Sequence, residues 1–267
     1  MSDSELQFML LSDLHLEIPL TVNNLPTVEA KADYLFLVGD IGRPGKSSLE
    51  DFLGSMASKF KHVFFIAGNH EFYRCEYHKA KQDMNEICDK FDNISFLDRN
   101  IHIIDNFRII GATLWSYVPP EDEVNVCKSL SDYAAITIIH GDEPKRKVTV
   151  EDTNRWHKED LEFIKEQIQI AKNENQIAII LTHHAPLMKG TSDPRFEGGD
   201  IQSAFATDLK YLMGNPIALW CFGHTHYSSN QIIDNTRIIS NQLGYLMKHE
   251  TDERFNINRV ITVKSDG

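Results

Sequence analysis

Cysteine is scarce in this chain, and long apolar runs are missing. The four cysteines, Cys75, Cys88, Cys127 and Cys221, form no CxxC and show no short regular spacing. That usage argues against a disulfide scaffold or a thiolate zinc site and fits a reducing compartment. No stretch approaches the ~20 apolar residues of a membrane span. The opening segment MSDSELQFMLLSDLHLE sets acidic residues before a short apolar run and has no basic stretch, so it does not read as a signal peptide. The expectation is cytoplasmic residence without a membrane partner. Basic residues are also in deficit: 27 Lys and Arg against 39 Asp and Glu give a formal charge of −12. Affinity for phosphate backbones rests mainly on basic side chains, so a nucleic-acid partner is disfavoured. Phosphate chemistry is not excluded, because bound divalent ions reverse the local sign of a site built from carboxylates.

No Pro/Gly/Ser-rich linker, internal repeat or low-complexity tract divides the 267 residues, so residues 1–267 are expected to form a single domain. The least regular region, Tyr117 to Arg146 with Pro119-Pro120 and Gly141-Asp142, is expected to be a flap inserted at 117–146. Elsewhere short apolar runs end abruptly in polar clusters. Gln7 to Leu11 leads into Ser-Asp-Leu-His, and Tyr34 to Val38 leads into Gly39-Asp40. Val63 to Ala67 ends in Gly68-Asn69-His70-Glu71, Ile177 to Leu181 in Thr182-His183-His184, and Ala218 to Phe222 in Gly223-His224-Thr225-His226. Runs of this length, rich in β-branched and aromatic residues, predict strands buried on both faces. Ser48 to Phe60 and Thr149 to Asn173 carry helical spacing, the second opening with the capping-box-like Thr149-x-x-Asp152. Ile101 to Leu114 predicts a hairpin about Asp105-Asn106, and β-rich pieces follow at Asn230 to Gly244 and Phe255 to Val263. The sum is an α/β chain with more than one sheet or a mixed sheet.

Taken singly, the polar clusters have plain readings. Asp13-x-His15 can be a turn with a local hydrogen bond, Asp40 and Asn69 turn residues, and the histidines bonded pairs or surface. Taken together, they sit just past the C-terminal ends of five buried strands, the edge where an open α/β sheet binds its ligand. Carboxylate, amide oxygen and imidazole without thiolate suit a pair of borderline-hard divalent ions.

In order and composition these five blocks resemble the calcineurin-like metallophosphoesterases. The resemblance runs from Asp13 to His226 and implies a two-sheet β-sandwich flanked by helices, with a two-metal site. It implies Asp13, His15 and His226 on one ion, Asn69, His183 and His224 on the other, and Asp40 bridging both. His183 is favoured over His184 because it follows the strand directly. Two ions ~3.5–4 Å apart can clamp a phosphate and generate hydroxide from a shared water near neutral pH. The resemblance gives His70 the second position of the Asn-His pair, where it would contact the phosphate or protonate the leaving group. Mn2+, Fe, Zn2+ and Mg2+ all suit the donor set, Mn2+ being favoured, and the expected substrate is a small phosphorylated compound, a phosphomonoester or phosphodiester.

The match departs from the protein phosphatases of this family at Arg43. They carry there a second acid that orients the histidine of the Asn-His pair. Arg43 can grip a substrate phosphate or lie solvated in its loop. A protein serine/threonine phosphatase is therefore the alternative reading. A non-catalytic scaffold resembling the retromer subunit of this fold is another, although such relatives lose ligands that are all present here. Trp115, Trp156 and Trp220 are expected in packing and Cys221 as an inert apolar residue. His62, His78, His102, His140, His157 and His249 lie outside the blocks, and His140 in the flap can face the substrate.

Overall fold

The computed structural model describes residues 5–142, 144–246 and 252–264; His249 lies outside them. Two sheets carry the fold. The first has the order β13-β1-β2-β3-β4, with β1 Glu5–Leu11, β2 Tyr34–Val38, β3 His62–Ile66, β4 Ile94–Phe96 and β13 Val260–Lys264. Its inner pairs are parallel, and β13 closes one edge antiparallel to β1. The second has the order β11-β12-β10-β9-β6-β5, with β5 Asn100–Ile104, β6 Phe107–Ala112, β9 Ile177–Thr182, β10 Ile217–Phe222, β11 Asn230–Ile233 and β12 Thr236–Ser240. Strands β6, β9, β10 and β12 run parallel, and β5 and β11 are antiparallel edges.

Alternation along each strand explains why the apolar runs are continuous. Phe8 and Leu10 of β1, Phe36 and Val38 of β2, and Phe64 and Ile66 of β3 meet Ile179, Leu181, Leu219 and Cys221 of the second sheet in one core between the sheets. Met9, Leu35, Leu37, Val63 and Phe65 face the other way. They pack under helices α2 (Ser47–Ala57) and α3 (Tyr77–Cys88) through residues such as Leu53, Met56, Ala80 and Met84. On the far side Ile110, Ile180, Trp220 and Phe222 pack against Ile164 and Ala171 of helix α6 (Val150–Asn173). (The helices α1, Pro19–Asn24, α4, Glu123–Ser129, and α5, Asp132–Ala135, are short, and β7, Thr137–Ile138, pairs with β8, Arg146–Lys147, in a separate two-stranded sheet.) This layering of helix, sheet, sheet and helix is the expected sandwich. Strands with both faces covered cannot show a polar alternation.

Local signals fall where the sequence put them. The Ile104–Phe107 pair closes the β5–β6 hairpin across Asp105, whose φ is 50°. Both reciprocal bonds of the capping box at Thr149 and Asp152 are present. All three tryptophans are under 4% exposed, which leaves none as a stacking platform; Trp156 instead stacks on Tyr77 at 3.6 Å. His140 lies against Asp152 and Arg155 at the start of α6 rather than facing the strand ends. Among the described residues no helix is long and apolar enough to cross a membrane.

Candidate metal centre

The C-terminal ends of β1, β2 and β3 from one sheet and β9 and β10 from the other meet at a common seam. Backbone bonds extend the sheets past their last residues: Asp13 N–H donates to Gly39 O, His15 N–H to Asp40 O, and Gly223 N–H to His183 O. Three glycines of the blocks make room for this crowding. A Cβ on Gly39 would lie 2.3 Å from His183 Nδ1, one on Gly68 2.2 Å from Asp40 Oδ1, and one on Gly223 2.7 Å from Asp13 Oδ2. The backbone is also held in an unusual state. Asp13, His15, Asp40, His224 and His226 all have φ between 49° and 72°, the left-handed region that non-glycine residues avoid.

Side chains converge in three groups; one is His15, Glu17 and His70, and the other two share Asp40. Asp13, His15, Asp40 and His226 bring one donor atom each within 4.8 Å of one another, and so do Asp40, His183 and His224. Asn69 joins this last group, its Oδ1 lying 3.1 Å from His183 Nε2. His15 Nε2 and His226 Nε2 lie 3.0 Å apart and point at the same space. Two buried acceptors that face the centre, Asp40 Oδ2 and His224 Nε2, have no hydrogen-bond partner among the described residues. Hard oxygen and imidazole donors, two orphaned acceptors and a cradle that a single methyl group would fill suit a pair of divalent cations.

Hydrogen bonds behind the centre fix which atom each ring presents. His183 Nδ1–H donates to Val38 O at 2.9 Å, so Nε2 carries the lone pair and faces inward. His184 points elsewhere, its ring against Trp115 and its Nδ1 buried without a partner. His15 Nδ1–H donates to Glu17 Oε1 at 3.1 Å, again leaving Nε2 inward. Asn69 Nδ2–H donates to Asp132 Oδ1 at 2.8 Å and to the Tyr73 hydroxyl at 3.2 Å, which turns its oxygen to the centre. Glu71 is fully buried and collects four backbone N–H groups. Those of Ile41 and Gly42 reach one oxygen, and those of Asp40 and Gly68 the other. These four bonds tie the loop after β2 to the loop after β3, while burial and the Asp40 carboxylate push the Glu71 carboxyl up to about 8.

His70 stands at the edge of the two groups that share Asp40. Its Nδ1–H donates to Glu17 Oε1 at 3.0 Å, its ring stacks on Tyr73 at 4.1 Å, and its Nε2 lies 2.9 Å from the Tyr245 hydroxyl. Burial pushes its pKa down, but the Asp40 and Glu17 carboxylates outweigh burial and hold it up at about 9. Burial opposes ionisation of Glu17 too, yet its bonds to His15 and His70 bring it down to about 2. Burial pushes Asp13 up to about 6, whereas His183, His70 and His15 together overcome burial at Asp40 and hold it well below the usual carboxylate range. Burial and neighbouring imidazoles depress His224 and His226, the latter to about 3. Neutral imidazoles are what a cation requires; His183 differs, because the Asp40 and Asp13 carboxylates overcome burial and hold it up at about 9.

Arg43 is half-buried in the loop after Asp40, outside these groups, and its guanidinium makes no hydrogen bond or ion pair among the described residues. Glu17, Asp132, Tyr73 and Tyr245 are additions that the strand-end blocks do not contain. Only Glu17 has a local signal, its place two residues past His15 of the first block.

Comparison with known proteins gives a consistent result. The model of the family described as calcineurin-like phosphoesterase matches residues 6–228. The uncharacterized protein L509 of Acanthamoeba polyphaga mimivirus is 34% identical, with 92% of each chain covered. The crystal structure of a phosphopantetheinyl hydrolase from Mycobacterium tuberculosis superposes with a TM-score of 0.72 at 15% identity, covering 97% of this chain and 96% of that one. A dimetal phosphatase from Danio rerio superposes with a TM-score of 0.54 at 14% identity, covering 89% and 87%.

Proposed function

Because the chain belongs to the calcineurin-like phosphoesterase family and is thus a metal-dependent phosphoester hydrolase, we propose that it hydrolyses a small soluble phosphoester with two divalent ions. Asp13, His15 and His226 would hold one ion and Asn69, His183 and His224 the other, with the Asp40 carboxylate available to both. The observation that carries this reading is the membership of Asp40 in two donor groups. Bound there, divalent ions supply Lewis-acid activation of the phosphoryl group and of the attacking water. Mn2+ is the first ion to test, and four free thiols fit a cytoplasmic setting.

The protein's own residues supply position and a proton. Glu17 fixes His70 through Nδ1 and keeps the ring charged, so Nε2–H is the proton to give. The Tyr245 hydroxyl, 2.9 Å from Nε2, marks the place a leaving oxygen would take. Glu17 therefore performs from the first strand end the orienting task of the acid that Arg43 replaces. That supports a phosphoesterase of full chemical competence and weakens the scaffold reading.

The test is hydrolysis of mono- and bis-p-nitrophenyl phosphate by chelator-stripped protein before and after Mn2+ is added. Turnover restored by metal, and a fall of roughly 10²–10⁴ in kcat for His70→Ala at unchanged metal stoichiometry, are the expected results. Protein that binds no metal by calorimetry would overturn the reading.

A further inference from the structure

Two arginines of this acidic chain lack an anionic partner, and both belong to loops of the metal centre. Arg43 follows Asp40 by three residues, and Arg74 follows His70 by four. Neither guanidinium makes a hydrogen bond or ion pair among the described residues. Every other arginine donates to a carboxylate, amide or carbonyl oxygen. With a net charge of −12, carboxylates are plentiful, so two arginines left unpaired beside one site are not a consequence of composition.

Arg74 borders an open cavity of about 510 Å³, lined also by Lys145 and Lys147 with Ser131 and Thr137. Arg43 does not line the cavity, but it and Lys145 both act on the thiol of Cys75, next in sequence to Arg74. The one carboxylate acting on that thiol, Asp83, is paired with Lys79. Two connections tie the loops that line the cavity to the metal centre. Tyr73, next to Arg74, stacks on His70. Ala135, which accepts a hydrogen bond from Arg74 N–H and lines the cavity, is one helical turn (about 5 Å of rise) from Asp132, the partner of Asn69.

We propose that this basic cavity is a substrate subsite for a second anionic group, so that the preferred substrate is a phosphoester whose leaving group carries a further phosphate. The inference rests on the phosphoesterase reading and sharpens it. Planar guanidinium groups and flexible ammonium groups suit phosphate oxygens. Ser131 adds a hydroxyl donor, whereas the Thr137 hydroxyl already donates to Cys75 O. Because Arg74 shares a loop with His70, an anion held there is assigned to the leaving group.

The experiment compares a nucleoside 3′,5′-bisphosphate with its 3′- and 5′-monophosphates on Mn2+-loaded protein, and titrates the same three compounds into metal-free protein by calorimetry. The expected result is a kcat/KM advantage of about tenfold or more for the bisphosphate, the worth of one charge-assisted contact, carried by KM. The metal-free protein binds the bisphosphate with the same order of preference. In the Arg74→Gln/Lys145→Gln variant both advantages shrink to near one. Lys145→Gln alone, an exposed loop change, loses part of the advantage and serves if the double variant does not fold. Equal use and equal binding of the three compounds by the wild type, or an advantage untouched by either variant, would overturn the subsite. Bisphosphate that raises turnover of a monophosphate without competing with it would make the cavity an effector site and overturn it too. Loss of all p-nitrophenyl phosphate turnover in wild-type protein would count against the hydrolase reading alone, because the calorimetric preference is read without metal or chemistry.

Discussion

Glu17 bonds two histidines with one oxygen, and that shared contact makes it the most informative side chain to change. In Glu17→Gln the amide keeps the size and removes one of the two charges, with Asp40, that raise His70. The His70 imidazole is expected to titrate near 9 in metal-free wild-type protein and at least a unit lower in the variant, read by proton–carbon NMR. The sign follows from linkage. A histidine raised from 6.5 to about 9 stabilises the fold fully below 6.5 and loses that contribution as pH climbs through 9. Metal-free wild-type protein should therefore lose stability between pH 6.5 and 9 more steeply than Glu17→Gln, measured by denaturant midpoint. With metal present, kcat of the variant is expected to fall about 10–100-fold, the range for groups that orient a catalytic residue. Much of the centre was readable residue by residue. The strand-end histidines and carboxylates stand beside apolar runs, and His183 could be preferred to its neighbour because it leaves the strand first. Asp132 and Tyr245 could not be read, since nothing near them in the chain differs from ordinary loop polarity and only folding brings them to Asn69 and His70.

Among the elements, legibility followed burial. Strands covered on both faces and the amphipathic α6 wrote themselves as apolar runs and a 3.6-residue period. Helix α3 did not, because YHKAKQDMNEIC is polar outside a narrow buried stripe of Tyr77, Ala80, Met84, Ile87 and Cys88. The segment 117–146 has its own small apolar cluster, Val118 and Val126 against Val150 and Ala204. From it α5 sends Asp132, 4% exposed, to the Asn69 amide. That contact gives the segment a measurable part in the centre. Asp132→Ala frees the Asn69 amide to turn and is expected to weaken binding of one of two Mn2+ ions by about 10–100-fold, leaving the other unchanged. Two-site calorimetry checks this. Equal weakening of both ions would mean that the segment supports the fold and not the amide. Asp132→Asn, which can still offer an oxygen to Asn69, should recover most of the affinity.

For the molecule as a whole, the centre is a liability until it is filled. Five residues in left-handed backbone cost on the order of 1 kcal/mol each, and buried acceptors face one another across the seam. Natural domains have only about 5–15 kcal/mol in hand. Saturating metal at about a hundred times its dissociation constant adds roughly 2.7 kcal/mol per site. For a chain of this size that shifts the melting temperature by roughly 5–10 °C. Scanning calorimetry with chelator and with Mn2+ reads the shift directly, and coincident traces would show that the donor groups hold no ion.

The seam has one more consequence, for the chain cut in two. Gly141, at φ 52° with nothing within 4 Å of where a Cβ would lie, is a point where a nick disturbs no packing. A break there leaves Asp13, His15, Asp40 and Asn69 on one fragment and His183, His224 and His226 on the other. Neither fragment owns a complete sheet either, since β5 and β6 belong to the sheet of β9 to β12, and β13 to that of β1. Each donor group that contains Asp40 needs both pieces, so high-affinity metal uptake becomes a gauge of reassembly: two silent fragments, mixed, should bind Mn2+ only as fast as they find each other.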